Sequence, residues 1–309
     1  MKKINILLST YNSSVYLCDQ LDSIIAQTYN DWSILIRDDG SKNNTIKIIS
    51  SYIDKYPENI FLIESDTKNI GPCQSYAKLL EFAKADYIMF ADQDDIWVPE
   101  KIEICMQHMN EMEKQTSKSY PLLVHTDLKV VDENRQVLCD SFMLYQNIKG
   151  NRDKINQLLL QNSITGCTMM MNKALKDIAM PIPNRARMHD WWIGLVASLF
   201  GKIRFINIPT VYYRQHSGNF IGAKKNDMTF IISKVKNFYQ IKQELKRAIS
   251  QSIELNERYG LEFNSDQKEM MNSFSNILHN GSAKRRYILL KYKIFKIGVL
   301  RNVGLFLLI

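Results

Sequence analysis

Short apolar runs alternate with stretches of helical spacing over the first third of the chain. The runs, which predict buried β-strands, occupy residues 4–8, 32–37, 60–63 and 87–90. Between them, apolar side chains recur every three or four positions from Leu17, Ile46 and Tyr76 onward, and this spacing predicts amphipathic helices. Because each such helix returns the chain to the same end of the sheet, the order predicts an α/β fold with a doubly wound, mostly parallel central sheet.

The pattern after Pro99 is mixed, and it becomes almost wholly helical and lysine-rich from about Asp227 onward. The mixed part predicts a strand over residues 122–131, a helix near 155–160, a strand over 164–171 and a helix after the HDWW stretch. We therefore expect a main domain over residues 1–226 and a helical, basic region over residues 227–309 that associates with a membrane or carries a homodimer contact.

The composition narrows the class of protein. With 45% hydrophobic and 23% charged residues, the 309-residue chain has the balance of a globular protein. Its five cysteines are scattered singly without a CxxC pair, which favours reduced thiols in the cytoplasm. Nowhere does an apolar run approach the roughly 20 residues of a membrane span. We expect a cytoplasmic protein that could lie peripherally on the inner face of the membrane.

The net charge of +8 is concentrated near the end of the sequence. Residues 283–309 hold many lysines and arginines among Ile, Leu, Phe and Tyr, and no acidic residue. Two interpretations stay open at this point: an interfacial helix drawn to anionic lipid, or a helix that packs on the body with a solvated basic face. Nucleic acid is not an expected partner, because no binding motif accompanies the charge.

Polar residues follow three of the predicted strands where each strand ends. They are the stretches STYN at 9–12, DDGS at 38–41 and DQDD at 92–95. Ligands of such sheets bind beyond the carboxyl ends of the strands, so these residues are expected to gather at one rim.

The stretch DQDD carries the strongest chemical signal. If the backbone stays extended, Asp92 and Asp94 point to one face and Asp95 points away. Two carboxylates on one face suit Mg²⁺ or Mn²⁺ held together with a phosphate-bearing substrate. The alternative is an acidic loop that caps the next helix near residues 96–99, and for Asp95 we favour it.

Common nucleotide motifs are missing, since the chain has neither a GxGxxG sequence nor a Walker A loop. A base could instead stack on the ring of Tyr11 and donate an N–H to Asp39. Taken singly, both residues fit structural roles equally well, because Asp39-Gly40 is also an ordinary turn signal.

Six segments together resemble a known family. They are ILLSTYN, IRDDGSKNNT, NIGPCQSYAKLLEFAKADYIMFADQDDIW, TGCTMMMNKAL, HDWW and YRQHSGN. Their order and spacing over roughly residues 4–225 resemble the family 2 glycosyltransferases with the GT-A fold, which join a Rossmann-like nucleotide-binding half to an acceptor half. Within that family the chain is most similar to bacterial rhamnosyltransferases that extend cell-wall or capsular polysaccharides.

The resemblance implies roles for individual residues. Thr10, Tyr11 and Asp39 would bind the base of the donor. The DxD element, Asp92 and Asp94, would hold the metal and the donor diphosphate.

By the same resemblance Asp190 would be the catalytic base and His216 would lie near the metal. Many relatives have Glu-Asp where this chain has His189-Asp190, which leaves the acceptor-side contact of His189 in doubt. We also expect Trp191 or Trp192 near the acceptor.

The implied reaction is chemically consistent. Inverting transfer needs a base for the acceptor hydroxyl and charge stabilisation for the departing diphosphate. An aspartate at a helix N-terminus, such as Asp190, is expected to stay ionised, although it could also be a simple N-cap. The resemblance implies a dTDP- or UDP-sugar donor, with dTDP-L-rhamnose favoured, and a lipid-linked saccharide acceptor.

Two rival functions follow from the same features. A sugar-phosphate nucleotidyltransferase of similar fold would need a glycine-rich, basic loop after the first strand, and STYNSSVY has neither glycine nor base. The other rival is a non-catalytic, membrane-associated scaffold, in which the acidic rim would serve only for packing.

Overall fold

The computed structural model describes residues 3–63, 68–216 and 238–309. Its strands are β1 (Ile4–Thr10), β2 (Trp32–Asp38), β3 (Ile60–Leu62), β4 (Tyr87–Ala91), β5 (Ile96–Trp97), β6 (Leu122–Val131), β7 (Val137–Cys139), β8 (Met169–Asn172) and β9 (Lys202–Arg214). Its helices are α1 (Leu17–Ile25), α2 (Thr45–Lys55), α3 (Pro72–Phe82), α4 (Lys101–Gln115), α5 (Phe142–Tyr145), α6 (Ile155–Leu158), α7 (Lys173–Ala179), α8 (His189–Phe200), α9 (Phe238–Tyr259), α10 (Ser265–Ser275), α11 (Ser282–Lys291) and α12 (Val299–Leu308).

One sheet runs through the molecule in the order β3-β2-β1-β4-β8-β6-β9-β5, with β7 beside β6. Its first four strands are parallel, as the strand-helix alternation predicts. The second half is mixed, since β8 runs antiparallel to β4 and β6 whereas β9 runs parallel to β6. The predicted α/β class is confirmed, and the change of direction at β8 marks the passage from the first half to the second.

Helices cover both faces of the sheet, so β1, β2 and β4 are buried along almost their whole length. This double cover explains why these strands read as continuous apolar runs rather than alternating ones. One core lies between the sheet and α1, α2 and α4, and the other lies under α3, α7 and α8.

The C-terminal helices belong to the second of these cores. Leu255, Phe274, Leu289 and Leu305 are buried in the same apolar cluster as Trp192 of α8. The predicted boundary near residue 227 lies outside the described residues, so the division into residues 1–226 and 227–309 stays a prediction.

Polar contacts fasten α9 to the segment that leads into α8. The Arg258 guanidinium lies over the Trp192 ring and donates to the Pro181 carbonyl at 2.6 Å. The Tyr259 hydroxyl donates to the Ile178 carbonyl at 2.7 Å, and the backbone N–H of Arg187 donates to the side-chain oxygen of Gln251. Helix α9 thereby holds both ends of the loop between α7 and α8.

The basic segment 283–309 forms two helices rather than one. The break between α11 and α12 contains two residues with positive φ, Lys293 and Gly298. Each helix buries one apolar side, which supports the packing interpretation for that side. Among the described residues, none of the helices combines the length and apolar character that crossing a bilayer requires.

Candidate active site

The carboxyl ends of β1, β2 and β4 meet at one rim of the sheet. Thr10 is in register with Asp38, and Leu8 is in register with Ala91, so the polar residues that follow these strands become neighbours. The backbone N–H of Tyr11 donates to the Gln93 side chain at 2.7 Å, which ties the first rim segment to the acidic one. The predicted gathering of polar residues at one rim is therefore present.

The backbone of the DQDD stretch does not stay extended, because it turns at Gln93 and Asp94. As a result, potential ligand atoms of Asp92, Asp95 and Cys167 lie within 4.8 Å of one another, whereas the Asp94 carboxylate meets His216. The expectation that Asp92 and Asp94 share a face while Asp95 points away is wrong, since its premise was an extended chain.

Asp95 also does not cap a helix. Residues 96 and 97 form β5, and α4 begins only at Lys101. Asp95 is fully buried, and its carboxylate accepts the backbone N–H of Arg214 at 3.2 Å. The favoured interpretation of Asp95 as a cap is therefore wrong, and this residue joins the acidic turn to the end of β9.

The Asp92 carboxyl is in an environment that disfavours its charge. Burial, together with the nearby Asp94 charge, raises the pKa of Asp92, and a hydrogen bond from the Tyr76 hydroxyl at 3.0 Å opposes that rise. The same hydroxyl contacts the Ala91 carbonyl at 2.7 Å, so Tyr76 has a fixed position beneath the acidic turn. Neutralising charge near Asp92 would relieve the repulsion.

His216 and Asp94 are brought together across a long stretch of sequence. His216 Nε2 lies 2.9 Å from Asp94 Oδ2, and the imidazole packs on the Tyr16 ring with centroids 4.7 Å apart. Arg214 lies over the same tyrosine ring and pairs with Asp19 at 2.7 Å, which fastens the end of β9 to α1.

The side chains at this turn suit a divalent cation. Two carboxylates and an imidazole are ligands that Mg²⁺ or Mn²⁺ accepts, and burial together with the Asp94 charge raises the pKa of Asp92, which a bound cation would lower. The residues that could hold the ion are Asp92, Asp94 and His216. The Cys167 thiol is a poor ligand for these hard cations, and burial raises its pKa well above the ordinary value.

Asp190 lies in the first turn of α8. Its carboxylate accepts the backbone N–H of Gly166 at 3.1 Å and that of Trp191 at 2.6 Å. Burial, with a contribution from the Asp92 charge, raises the pKa of Asp190 to about 7. Asp190 and Asp92 therefore lie close enough to influence one another. Burial opposes the ionisation of Asp190 that the helix N-terminus is expected to favour.

His189 faces the interior and not the cleft. Its ring is packed against Tyr76 and Phe90, with centroids 4.1 and 4.9 Å apart, and burial lowers its pKa to about 3. A Cβ on Gly166 would come within 3.0 Å of its Nε2, so the glycine permits this close approach. The histidine in place of a glutamate is thus a neutral packing residue in this structure.

Both tryptophans of the HDWW stretch are buried. The indole N–H of Trp191 donates to the Leu158 carbonyl at 2.8 Å, and that of Trp192 donates to the Ala179 carbonyl at 2.9 Å. The C-terminal helices supply a second apolar surface around α8 and bury both rings, and the expectation that one of them lies near the acceptor stays a prediction.

The three residues expected to bind the base differ in accessibility. Tyr11 is 44% exposed, so its ring is open to stacking. Thr10 is buried and donates to Asp38 at 2.9 Å. Asp39 is buried as well, and it accepts from the Arg37 guanidinium at 2.6 Å and from the backbone N–H groups of Ile70 and Gly71.

Several residues of the site escaped the sequence analysis. Asp38 anchors the rim by accepting four hydrogen bonds, from Thr10, Gly40 and twice from Ser41. Tyr76 was counted only as a core position of α3. Polarity at a strand end was the available signal for Asp38, whereas no local signal distinguishes Tyr76 from any other aromatic residue of a helix face.

The sequence matches a known protein family and several of its members. The family model for glycosyl transferase family 2 matches residues 5–179, which is more than half of the chain. The dTDP-rhamnosyl transferase RfbG of Shigella flexneri is 28% identical over 232 residues, covering 70% of this chain and 74% of that protein.

Solved structures show the same fold at lower identity. TarS 1-349 of S. aureus in complex with UDP-GlcNAc gives a TM-score of 0.56 at 17% identity, over 94% of this chain and 88% of that one. The mannosyltransferase PcManGT of Pyrobaculum calidifontis, solved with GDP-Man and Mn²⁺, gives 0.53 at 11% identity, over 98% and 78%.

The chain spans only 43% of the longer TarS structure, with a TM-score of 0.56 at 18% identity over 90% of this chain. These structures share the GT-A fold that the sequence predicts. Together with the family match, they lead to one assignment: the chain belongs to glycosyl transferase family 2.

Proposed function

We propose that the chain is an inverting, metal-dependent glycosyltransferase that moves a sugar from a nucleoside diphosphate to a hydroxyl of a saccharide. The observation that carries this proposal is the proximity of Asp190 to the acidic turn, where burial, with a contribution from the Asp92 charge, raises the pKa of Asp190 to about 7. A carboxylate with such a pKa can both accept a proton at neutral pH and hold it.

In the proposed reaction Asp190 removes the proton of the acceptor hydroxyl. The hydroxyl oxygen forms a bond to the anomeric carbon as the bond from that carbon to the diphosphate breaks, and the electron pair leaves on the diphosphate oxygen. The proton ends on the Asp190 carboxyl. Backbone N–H groups of Gly166 and Trp191 hold this carboxylate in place.

The opposite wall of the cleft would receive the donor. Asp92, Asp94 and His216 would hold the cation, and a bound Mg²⁺ or Mn²⁺ would supply positive charge for the departing diphosphate. Tyr11 would stack on the base, while Thr10 and Asp39 shape the rim around it through their contacts with Asp38, Ile70 and Gly71.

The favoured donor is dTDP-L-rhamnose, with a UDP-sugar as the alternative. Similarity to RfbG supports the former, and the UDP-GlcNAc complex of TarS supports the latter. The proposed acceptor is a lipid-linked saccharide of cell-wall, capsule or O-antigen synthesis, used on the cytoplasmic side of the membrane. Pocket contacts that decide sugar identity are few, so the donor must be found by experiment.

The decisive experiment is a screen of nucleotide sugars with the purified chain in the presence of Mg²⁺, Mn²⁺ or a chelator. We expect metal-dependent release of the nucleoside diphosphate from one dTDP- or UDP-sugar. Calorimetry with the matching nucleotide and Mn²⁺ serves as a second readout. Absence of both turnover and metal-dependent nucleotide binding would contradict the proposal and favour a scaffold.

A further inference from the structure

Helix α12 presents apolar side chains to solvent on one face. Val299, Val303 and Leu307 are 79%, 49% and 65% exposed, and their spacing of four residues places them on the same side of the helix. The other side of α12 is anchored in the core through Leu305 and Ile309. We call Val299, Val303 and Leu307 the α12 apolar face.

Helix α11 extends the same type of surface next to it. The Arg286 side chain donates to the Phe306 carbonyl at 3.1 Å, so it holds the last turn of α12 beside α11. Tyr287 and Leu290, which follow Arg286 on α11, are also more than half exposed. Exposed tyrosine beside aliphatic side chains is typical of proteins that lie at a membrane interface.

The two helices that carry this apolar surface, and the turn between them, also carry exposed basic side chains. Lys284, Arg286, Lys291 and Lys293 are exposed, and residues 283–309 contain no acidic side chain. One acidic residue from a neighbouring helix reaches the group, since Glu269 of α10 pairs with Lys291 at 2.6 Å. The remaining excess of positive charge matches an anionic lipid surface.

The α12 apolar face is rigidly connected to the acceptor side of the molecule. Arg301 of α12 donates to the carbonyls of Gln146 and Asn147. Just before α12, the backbone N–H of Ile297 donates to the Gln161 side chain at 2.7 Å. Gln161 follows α6, whose Leu158 carbonyl accepts the Trp191 indole next to Asp190.

We propose that the α12 apolar face docks on an anionic lipid surface, with Lys284, Arg286 and Lys293 contacting the headgroups. A second copy of this chain is the competing occupant. A symmetric contact would place each basic segment against its own copy, which like charge opposes, whereas anionic headgroups would neutralise it. The docking does not depend on catalysis, but its purpose rests on the proposed function: it would fix the acceptor side of the cleft near a lipid-linked acceptor.

The test is sedimentation of the full chain with vesicles, without substrates. We expect binding to vesicles containing phosphatidylglycerol, weak binding to pure phosphatidylcholine, and loss of binding at high salt. Replacing all three residues of the α12 apolar face by serine should lower the partition coefficient by about tenfold or more, because the buried apolar area supplies much of the binding. Lys284→Gln with Lys293→Gln should lower it by about fivefold for each charge.

Matched controls separate docking from general exposure. Leu261→Ser and Val137→Ser remove exposed apolar side chains elsewhere and should leave partitioning unchanged. Turnover with a water-soluble acceptor should also survive the triple serine substitution, so a failure of docking is distinguishable from a failure of the proposed function.

Equal partitioning of the wild-type chain and the triple variant would overturn the proposal. So would a dimer, seen by light scattering, that the triple substitution dissociates while vesicles bind neither protein. That second result would assign the face to another copy of the chain.

Discussion

The two pairs of aspartates around the cleft are built in opposite ways. Asp38 and Asp39 are surrounded by donors: the first accepts four hydrogen bonds, and the second accepts the Arg37 guanidinium and two backbone N–H groups. Asp92 and Asp190 have fewer donors, and burial raises the pKa of each.

This difference distinguishes aspartates that stabilise the fold from aspartates that are available to bind a proton or a cation. Carboxylates with a full set of donors stabilise the rim on which they lie, and their charge is already balanced. Carboxylates buried with incomplete compensation hold a capacity for a proton or a cation. The contrast supports a structural role for Asp38 and Asp39 at the rim, and it fits the proposed roles of Asp92 and Asp190 in the reaction.

Replacing the base should give the largest effect. Asp190→Asn keeps the shape of the side chain but cannot accept the proton, so we expect kcat to fall by about 10² to 10⁴. Binding of the nucleotide with Mn²⁺, measured by calorimetry, should stay nearly unchanged. Near-normal turnover of this variant would remove Asp190 from the mechanism and erase the contrast between the two pairs.

Replacing Asp39, at the rim formed by the carboxyl ends of the parallel strands, should lower the stability of the fold. Asp39→Asn leaves the buried Arg37 guanidinium without its anion, so we expect the free energy of unfolding to fall by about 3 kcal/mol. Urea unfolding measures the change, with Asp31→Asn, an exposed aspartate, as the control. A change under 1 kcal/mol, on the scale of an ordinary surface substitution of about 0.5 kcal/mol, would show that the rim does not depend on this pair.

The pH dependence tests the raised pKa of Asp190 directly. Because the base must be deprotonated, kcat/KM should drop by about tenfold per pH unit below the pKa and level off above it. The pKa of about 7 applies without a cation, and a cation beside Asp92 should shift the inflection to lower pH. A profile that stays flat down to the ordinary aspartate pKa of 3.8, at fixed metal, would contradict the assignment.

The raised pKa of Asp190 also predicts that the free energy of unfolding depends on pH. The pKa of Asp190 in the folded chain lies above the ordinary aspartate value of 3.8, so the stability that Asp190 contributes is present at low pH and is lost as pH rises toward about 7. The unfolding free energy of Asp190→Asn should lack this part of the slope. An identical pH dependence of the unfolding free energy in the wild-type chain and the variant would show that burying Asp190 does not make the stability depend on pH.

The smallest effect is expected at Tyr76. Tyr76→Phe removes the hydrogen bond to Asp92, which should raise the pKa of Asp92 further and weaken Mn²⁺ binding by about 1 kcal/mol. Tyr52→Phe is a matched control, because its hydroxyl donates to Asp22 on α1, outside the candidate site. Equal Mn²⁺ affinity in both variants would mean that Tyr76 does not support the acidic turn.

The sequence predicted those features that depend on local pattern. Apolar runs located β1, β2 and β4, and polar residues at their ends located the rim, since parallel strands must end on one side of the sheet. The contact of His216 with Asp94 and the influence of Asp92 on Asp190 bring the motif residues near one another, and their roles stay predictions.

Features set by distant contacts could not be predicted in this way. The turn at Gln93 and Asp94 depends on Asp95 meeting the backbone of Arg214, more than a hundred residues later in the chain. Burial of Trp191 and Trp192 depends on helices at the far end of the sequence. The raised pKa of Asp190 arises from its enclosure, which the helix-terminus argument does not include.

The contacts of α9 with the loop between α7 and α8 would be lost in a shortened protein that lacks α9. Arg258, Tyr259 and Gln251 hold the backbone at Pro181, Ile178 and Arg187, and that backbone leads directly to Asp190. A fragment cut back to residues 1–226 would keep every motif yet lose the α9 contacts that hold the backbone leading to Asp190. Minimal versions of this enzyme should therefore be trimmed elsewhere than at α9.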